Sequence, residues 1–435
     1  MVSTSSSGDD ASRRIKVAVL VDLPRSSLSG GHVKGWESRA SAVAASALPV
    51  DMTIFFSGPP GTETLSPHVR LRQLPPVFST KQLPFLPYIP DHTDLAPYHP
   101  SLASALCDFD VIHTTDAYFA YARTAERVSK KFGIPLVTSF HTDTPSYARI
   151  FTANAINSLC GRSSRLSRFL ITTCRLPEMQ EQKMLRRLRA HLACCAEALL
   201  IRPEDAAIVR EVMGNDRLHE LKPVADKVLF HPDKADRSGL EAEFGIPPGQ
   251  FLALFAGRLD IGKNVYTLIE AVERAIAHDV PVHLIAAGVG PAAQDMKSRL
   301  GDHVTLAGFV EKKSLARMMA SSDALAFPSE VEIRSLVAIE ALAAGLPALV
   351  SEKSGIAELV KAGDALIEIA SGADAWAQAL ESAAKQRQLL PRLRAMARQY
   401  AEENVVTWEE SMRDDFLSVW KKVAAMRSLP GDCAQ

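Results

Sequence analysis

Ten short runs of apolar and β-branched residues, arranged in two series of five, constrain the fold of this chain more than any other feature of its sequence. Stretches of helical length separate the runs. Such runs are typical of parallel strands that are buried on both faces. The alternation therefore predicts an α/β chain with two doubly wound, Rossmann-like domains that face each other across a cleft. The predicted strands are 15–22, 50–56, 110–115, 135–142 and 198–203 in the first half, and 251–259, 282–290, 304–310, 324–329 and 347–352 in the second.

The chain has 435 residues, which suffices for two domains of about 200 residues each. Prolines among charged residues interrupt the alternation in 213–248 and mark the predicted junction. We therefore predict an N-terminal domain at 15–220 and a C-terminal domain at 221–406. Residues 407–427 have apolar side chains at helical spacing and predict a closing helix that returns toward the N-terminal domain. The polar leader 1–14 lacks an apolar centre, so we expect a disordered tail and not a secretory signal.

The composition argues against several classes of protein. The formal net charge is -1, from 49 Lys and Arg against 50 Asp and Glu, so no overall charge attracts nucleic acid. No apolar run reaches the roughly 18 to 20 residues that cross a bilayer. The cysteines form no CxxC pair, and His191 near Cys194 and Cys195 lacks the second pair of a zinc site. Free thiols of this kind favour a reducing cytoplasm.

Unusual side chains occur in loops after predicted strands, which is where ligands bind in open α/β sheets. Gly30 and Gly31 follow the first strand and precede a predicted helix, so their backbone N–H groups can approach an anion closely. A plain turn is the alternative. In the second half, GRLDIGKN (257–264) places Arg258 and Lys263 after a buried strand. These two cations are suited to neutralising a diphosphate, and a solvated loop is the alternative.

A further loop and helix, FPSEVEIRSLVAIEALAAGLP, carries two carboxylates. The first N–H groups of the predicted helix, at Ser335 and Leu336, are available to a phosphate. Glu340 follows about 1.5 turns later, where a carboxylate accepts from both hydroxyls of a ribose. Glu332 precedes the helix and is placed to reach hydroxyls beyond the diphosphate. Two such acceptors on either side of a phosphate favour a nucleotide-sugar. Glycines in GVGP (288–291) and GFV (308–310) are expected to leave room for a flat ring beside the backbone.

Three motifs together resemble those of one enzyme family. The E-x7-E spacing of Glu332 and Glu340 resembles the signature of the retaining glycosyltransferases of family 4 (glycosyltransferase group 1 type), which have the GT-B fold. GRLDIGK is similar to the phosphate-binding Arg and Lys of that family. SFHTDTPSY (139–147) is similar to its first-domain histidine motif. The motifs occur in the family's order, and the resemblance covers nearly all of the chain after the leader.

The resemblance implies roles for particular residues. Glu332 would bond hydroxyls of the donor sugar, and His141 would contact that sugar near the reacting carbon. His113 is left outside the site, as a structural or acceptor-side residue. In the donor site, Glu340 would bond the ribose, and Arg258 and Lys263 would hold the diphosphate. The backbone of Val310 would meet the base. The phosphates would be lined by glycines and helix amides, which belong to Gly30, Gly31, Ser335 and Leu336.

The chain also departs from the family pattern. Arg334 and Ser335 stand where the family usually has an aromatic or small residue followed by glycine, which puts donor identity in doubt. KPVADK (222–227) matches the usual RGVD only loosely, through Asp226. Asp108-Phe109-Asp110 imitates the metal-binding DxD of another glycosyltransferase fold. However, it precedes a strand instead of following one, so we expect no metal and interpret Asp110 as a strand-entry residue.

The sequence therefore predicts a metal-independent, retaining hexosyltransferase with no cofactor beyond its nucleotide-sugar co-substrate. It would move a hexose from a UDP- or GDP-sugar to a hydroxyl acceptor, for which a membrane lipid or lipid-linked glycan is a candidate. The domain 15–220 would hold the acceptor, and the domain 221–406 would bind the donor. Two other interpretations stay open: an epimerase or phosphorylase of the same fold, and a catalytically silent scaffold.

A basic stretch bears on the acceptor. In 162–189 eight basic residues are interleaved with apolar ones and outnumber two glutamates. An amphipathic basic surface favours the anionic, cytoplasmic face of a membrane. An ordinary solvated helix face is the alternative.

Overall fold

The computed structural model describes residues 14–26, 29–80, 93–141, 143–161, 164–201, 205–330, 335–356 and 365–426. The chain divides into two compact units. The first unit is Met1–Leu221 together with Glu409–Gln435, and the second is Lys222–Trp408. The C-terminal segment thus belongs to the first unit, and the division at Leu221 falls beside the predicted junction at 220 and 221.

The first unit contains an eight-stranded sheet in the order β3-β4-β2-β1-β5-β6-β7-β8. Neighbouring strands are parallel except for β3, which pairs antiparallel with β4 at the edge. Connections from β1 and from β5 run to opposite sides, so the switch point of this sheet lies between those two strands. The strands are β1 Ile15–Pro24, β2 Val50–Ser57, β3 Gly61–Ser66, β4 Val69–Leu74, β5 Val111–Thr114, β6 Leu136–Ser139, β7 Glu197–Leu200 and β8 Leu218–Glu220.

Helices connect these strands, and a C-terminal helix packs back on β1 and β5. The C-terminal helix consists of Trp408–Glu410, a π-helical segment Ser411–Leu417, and Ser418–Ala425. The connecting helices are α1 Gly31–Ala45, α2 Pro100–Leu106, α3 Ala120–Phe132, α4 Thr144–Cys160, α5 Arg165–Arg168 (continued by π-helical Phe169–Thr173), α6 Leu176–Leu192, α7 Ala206–Met213 and a 3-10 turn Asn215–Arg217.

The second unit contains a six-stranded parallel sheet in the order β11-β10-β9-β12-β13-β14, with its switch point between β9 and β12. Its strands are β9 Phe251–Ala256, β10 Val282–Ala287, β11 Val304–Gly308, β12 Ala324–Phe327, β13 Ala348–Ser351 and β14 Leu366–Ile369. Its helices are α8 Arg237–Phe244, α9 Val265–Ala277, α10 Ala293–Leu300, α11 Lys312–Ser321, α12 Leu336–Ala343, α13 Ala373–Lys385 and α14 Leu390–Asn404, with 3-10 turns at Pro232–Lys234, Ile261–Lys263, Gly301–His303 and Arg387–Leu389.

The central strand β9 shows why these runs form a doubly covered sheet. Leu252 and Leu254 belong to a core that includes residues of α11, α12 and α14. Phe251, Ala253 and Phe255 face the opposite way, into a core with α9 and α13. Because side chains alternate between the two faces, a strand covered on both sides must be apolar throughout. Burial of each large side chain contributes about 1.5–3 kcal/mol.

All ten predicted strands are present, and the described residues contain four further strands that were missed. β3 and β4 follow directly after β2. β3 is polar and half to fully exposed, so it has no apolar run. The edge strands β8 and β14 are only three and four residues long. Asp110 is a strand-entry residue as predicted: it exchanges hydrogen bonds with the backbone of Lys16 at 2.9 and 3.0 Å, just before β5. Within the described ranges, no helix is both long and apolar enough to span a bilayer.

Candidate active site

Two loops meet at the switch point of the second sheet, where α/β proteins of this topology bind ligands. The loop 257–264 follows β9, and the loop beginning at Pro328 follows β12. Asn264 Nδ2 donates to the Pro328 carbonyl at 3.2 Å and joins the two loops. The predicted diphosphate cations therefore lie beside the loop that leads to α12.

Asp260 holds the Arg258 side chain and stabilises the loop that carries both cations. Its Oδ2 accepts from Arg258 Nε at 3.1 Å, and its Oδ1 accepts from the backbone N–H of Lys263 at 3.1 Å. The Arg258 side chain stays 26% exposed, so part of its guanidinium can reach a ligand. Because residues 258–263 contain two cations and one carboxylate, the loop carries a net positive charge that favours a phosphate.

Two glycines after β10 support the same loop. A Cβ on Gly288 would lie 1.8 Å from the carbonyl oxygen of Gly257, and one on Gly290 would lie 2.3 Å from that of Leu259. The expectation that glycines in 288–291 leave room for a flat ring was therefore wrong. The room is filled by the backbone on either side of Arg258, which only glycine allows to approach so closely.

The helix α12 begins at Leu336, with Ser335 as its N-cap. The Ser335 hydroxyl accepts from the Ala338 N–H at 3.4 Å. An N-cap leaves the first amides of the turn directed out of the helix, where they attract anions. Glu332 and Arg334 lie outside the described residues, so the predicted donor-sugar carboxylate is a hypothesis from sequence only.

Glu340 is buried within α12, and its ionisation is strongly perturbed. Burial raises the pKa of its carboxyl to about 7 against the lowering effect of the Lys312 charge, and the Asp226 carboxylate contributes to the rise. Glu340 thus lies close to a carboxylate near the start of the second unit and to the first residue of α11. Val310 is partly buried two residues before Lys312, just after β11. A ligand that donates hydrogen bonds to Glu340 would favour its ionised form.

In the first unit, the predicted glycine pair lies next to His141. Gly30 is the N-cap of α1 and Gly31 its first residue. His32, the next residue, stacks on His141 with ring centroids 4.6 Å apart and planes 16° apart. A Cβ on Gly30 would meet no atom within 4 Å, so packing does not require glycine there, and close approach of a ligand would explain it.

A chain of hydrogen bonds reaches His141 from the C-terminal helix. Trp420 Nε1 donates to His113 Nδ1 at 3.1 Å. His113 Nε2 lies 2.8 Å from Ser139 Oγ, which in turn lies 2.8 Å from His141 Nε2. Burial, with the nearby charge of Arg39, lowers the pKa of His113 to about 3, so this imidazole is neutral.

Aromatic rings enclose this chain. Trp36 contacts His113 and His141 edge-on, at 5.4 and 5.9 Å between centroids, and Phe416 packs against Trp36 at 5.3 Å. The guanidinium of Arg39 lies over both Trp36 and Phe416. Sequence reasoning missed these partners because they come from α1 and from the far end of the chain. The only available signal was the helical spacing of apolar residues in the C-terminal segment.

Two carboxyls at the switch point of the first sheet, the buried Asp22 and the partly buried Asp116, have a structural role. Asp22, at the end of β1, accepts from the Tyr121 N–H at 3.1 Å. Asp116 follows β5 and accepts from the N–H groups of Tyr118 and Phe119 at 2.7 and 3.2 Å. Both therefore satisfy amides around the start of α3, and burial raises the pKa of each carboxyl. In the part of the chain that the structure describes, no group of three or more His, Cys, Asp or Glu side chains could hold a metal ion.

Comparison with known families bears directly on the second unit. The family Glycosyl transferases group 1 matches residues 236–404. This region is a group 1 glycosyl transferase domain. The match contains the cationic loop, both glycines after β10, and Glu340, so the features assembled around the switch point all lie within the family region.

Curated relatives match part of the chain. D-inositol 3-phosphate glycosyltransferase of Rhodococcus erythropolis is 29% identical over 236 residues, which cover 51% of this chain and 52% of the relative. The GDP-mannose-dependent alpha-(1-6)-phosphatidylinositol dimannoside mannosyltransferase of Mycobacterium tuberculosis is 27% identical over 212 residues, covering 46% of this chain and 55% of that protein. The chain thus spans about half the length of these relatives.

Solved structures match almost the whole chain. Sucrose-phosphate synthase of Thermosynechococcus elongatus superposes with a TM-score of 0.71 at 18% identity, covering 95% of this chain and 100% of the other. HepE of Anabaena, solved with UDP and glucose, gives a TM-score of 0.62 at 16% identity, with coverage of 96% and 100%. The predicted fold class is therefore confirmed: the chain has two Rossmann-like domains of the GT-B type.

Proposed function

We propose that this chain transfers a hexose from a UDP- or GDP-sugar to a hydroxyl acceptor, with retention of configuration and without a metal. The observation that carries the proposal is the position of Arg258 and Lys263. Both belong to the loop that Asp260 stabilises at the switch point of the second sheet, beside the loop that leads to α12. Fixed cations at this point suit a diphosphate.

The cations would act on the leaving group. As the glycosidic bond breaks, negative charge grows on the diphosphate. Arg258, Lys263 and the first amides of α12, at Ser335 and Leu336, would stabilise that charge without prior reorganisation. A single preorganised donor of this kind is worth roughly 10²–10³ in rate.

Other residues around the phosphate site would bind the base, the ribose and the sugar of the donor. Glu340 would accept from the ribose hydroxyls, and the backbone of Val310 would meet the base. Glu332 would bond hydroxyls of the sugar, and His141, beside Gly30, would contact the sugar near its reacting carbon. Retention needs no pair of glycosidase carboxylates, because the departing phosphate can take the acceptor proton on the same face of the sugar.

The acceptor side has a surface suited to an anionic membrane. The helices α4 and α6 pack together, and the chain between them exposes apolar side chains next to arginines. Residues 161–177 contain no acidic residue. By contrast, Arg187 and Arg189, further along α6, are paired with Glu126 and Glu211. The surface, which we call the hairpin tip, consists of Leu159, Leu166, Phe169 and Met179 with Arg165, Arg168 and Arg175.

We therefore propose that the hairpin tip contacts anionic lipid, which would place the enzyme near a lipid acceptor. Basic side chains and apolar side chains on one surface bind such membranes together. Replacing both Leu166 and Phe169, 57% and 51% exposed, with Ser should abolish co-sedimentation with anionic vesicles. Phe132→Ser, at a 43% exposed position on α3, is the matched control and should bind normally. Wild-type binding that is equal for neutral and anionic vesicles would contradict the proposal.

The proposed reaction is tested by screening donors and then following turnover. Thermal shift with UDP-, GDP- and ADP-sugars should identify a donor, since a ligand at 100 times its Kd stabilises the folded state by about 2.7 kcal/mol. With that donor, release of nucleoside diphosphate should depend on added acceptor and survive chelation of metals. Turnover without acceptor, or only with free phosphate, would instead indicate an epimerase or phosphorylase. Binding without any release would indicate a silent scaffold.

A further inference from the structure

We infer that Trp420, His113 and Ser139 are positioning residues that hold His141 in the tautomer with its proton on Nδ1. This inference rests on the proposed function only for its catalytic consequence, which is that His141 serves as a hydrogen-bond donor. The hydrogen bonds themselves are present in the first unit whatever the reaction.

The hydrogen bond from Trp420 sets the direction of donation along the whole series of hydrogen bonds. An indole N–H can only donate, so Nδ1 of His113 must be the acceptor in the 3.1 Å bond from Trp420. His113 is fully buried, and Arg39 lies close enough to oppose a second positive charge. A neutral imidazole that accepts at Nδ1 carries its proton at Nε2. His113 therefore donates from Nε2 to Ser139 Oγ at 2.8 Å.

Ser139 accepts one hydrogen bond in this series and donates the next. Its hydroxyl has one proton, and its oxygen already accepts from His113. Because Ser139 is completely buried, its hydroxyl proton needs an acceptor, and it is donated to the other partner, His141 Nε2, at 2.8 Å. An imidazole that accepts at Nε2 carries its proton on Nδ1, which assigns the Nδ1–H form to His141. Which nitrogen of a histidine holds the proton is set in general by the bond that the other nitrogen makes.

The surroundings hold the chain in this arrangement. His113 and Ser139 are completely buried, and Trp36 and Phe416 pack on the imidazole of His113. The stacking of His32 on His141 fixes the plane of the last ring. Trp420 belongs to the C-terminal helix, 307 residues after His113. The closing segment would thereby control a side chain near the donor sugar as well as stabilise the first unit.

Two variants break the chain, and one neighbour serves as control. Ser139→Ala removes the middle link with little change of volume, and Trp420→Phe removes the first donor while keeping an aromatic ring. Thr138→Val is the matched control, because Thr138 is the preceding residue of β6, is equally buried, and its hydroxyl has no hydrogen-bond partner among the described residues. Comparable melting temperatures would show that the variants are folded.

The readout is the tautomer of His141, measured from the ¹⁵N shifts of its imidazole in protein labelled at histidine and assigned with His141→Asn. The wild type and Thr138→Val should show the Nδ1–H form, and Ser139→Ala and Trp420→Phe a mixture. With an active donor, kcat should fall about tenfold in both chain variants with little change in the donor KM, as expected for one lost hydrogen bond. An Nε2–H form in the wild type, or an unchanged tautomer in Ser139→Ala, would overturn the inference. The spectra decide it even if no sugar transfer is found, so its failure is distinguishable from failure of the proposed function.

Discussion

Replacing Glu340 by Gln should make the protein more stable above neutral pH and poorer at binding a nucleotide. In the folded state, burial and Asp226 raise the pKa of this carboxyl from an ordinary 4.5 to about 7, against the opposing effect of Lys312. The folded state therefore holds the Glu340 proton more tightly than the unfolded state does. As pH rises from about 4.5 to about 7, this difference lowers the free energy of unfolding, and above 7 the loss is complete.

The size of the effect follows from the two pKa values. One pKa unit corresponds to about 1.4 kcal/mol. The difference between 4.5 and about 7 therefore destabilises the ionised folded state by about 3 kcal/mol. Glutamine has nearly the same shape and no charge to bury. We expect Glu340→Gln to raise the free energy of unfolding by about 3 kcal/mol at about pH 8 and by about 1 kcal/mol at about pH 5.

Urea unfolding across this pH range measures the effect, with hydrogen exchange of α12 amides assigning it to the second unit. Glu311→Gln, at an exposed position of the same unit, is the control and should give no such trend. In calorimetry at about pH 8, Glu340→Gln should bind the nucleoside diphosphate more weakly, because an amide is a poorer acceptor for two ribose hydroxyls. A difference in stability that is flat with pH would refute the perturbed carboxyl. Unchanged nucleotide affinity would refute its role in the donor site.

Two further predictions concern the loop after β9. Lys263→Ala should weaken binding of UDP or GDP about 10- to 100-fold in calorimetry and reduce the salt dependence of binding. The control Lys385→Ala, on α13, should change neither the affinity nor its salt dependence. Equal affinities of Lys263→Ala and the wild type would exclude Lys263 from the site. Gly290→Ala should lower the free energy of unfolding by about 1–3 kcal/mol and also weaken nucleotide binding, because its Cβ would lie 2.3 Å from the Leu259 carbonyl oxygen. Gly61→Ala, whose nearest atom is 4.0 Å away, should be close to neutral, and a neutral Gly290→Ala would contradict the close packing.

The sheets could be predicted because burial on both faces leaves a direct trace in the sequence. A strand that is covered on both faces, such as β9, is apolar along its length, and all ten runs of this kind were recognised. β3 could not be recognised, since an exposed antiparallel edge needs no apolar pattern. The topological order then follows from short right-handed connections, and with it the position of the loops at the switch point.

The candidate site could be predicted only where its chemistry is local in sequence. Arg258 and Lys263 belong to one loop after one strand, and Asp260 stabilises this loop through the Arg258 side chain and the Lys263 backbone N–H. The environment of Glu340 was not predictable, because Asp226 and Lys312 approach it from elements that are distant in sequence. The same reason hides the bond from the C-terminal helix to His113. The glycines after β10 were misinterpreted because the sequence does not show which backbone fills the space above them.

The most direct test of the account is hydrogen–deuterium exchange of the whole chain with and without UDP or GDP. The account predicts slower exchange in peptides covering 257–264 and the start of α12, where the diphosphate would meet Arg258, Lys263 and the first helix amides. The same peptides should show no protection in Lys263→Ala at equal nucleotide concentration. Protection confined to other parts of the chain, with 257–264 and α12 unchanged, would contradict a donor site at the switch point of the second sheet.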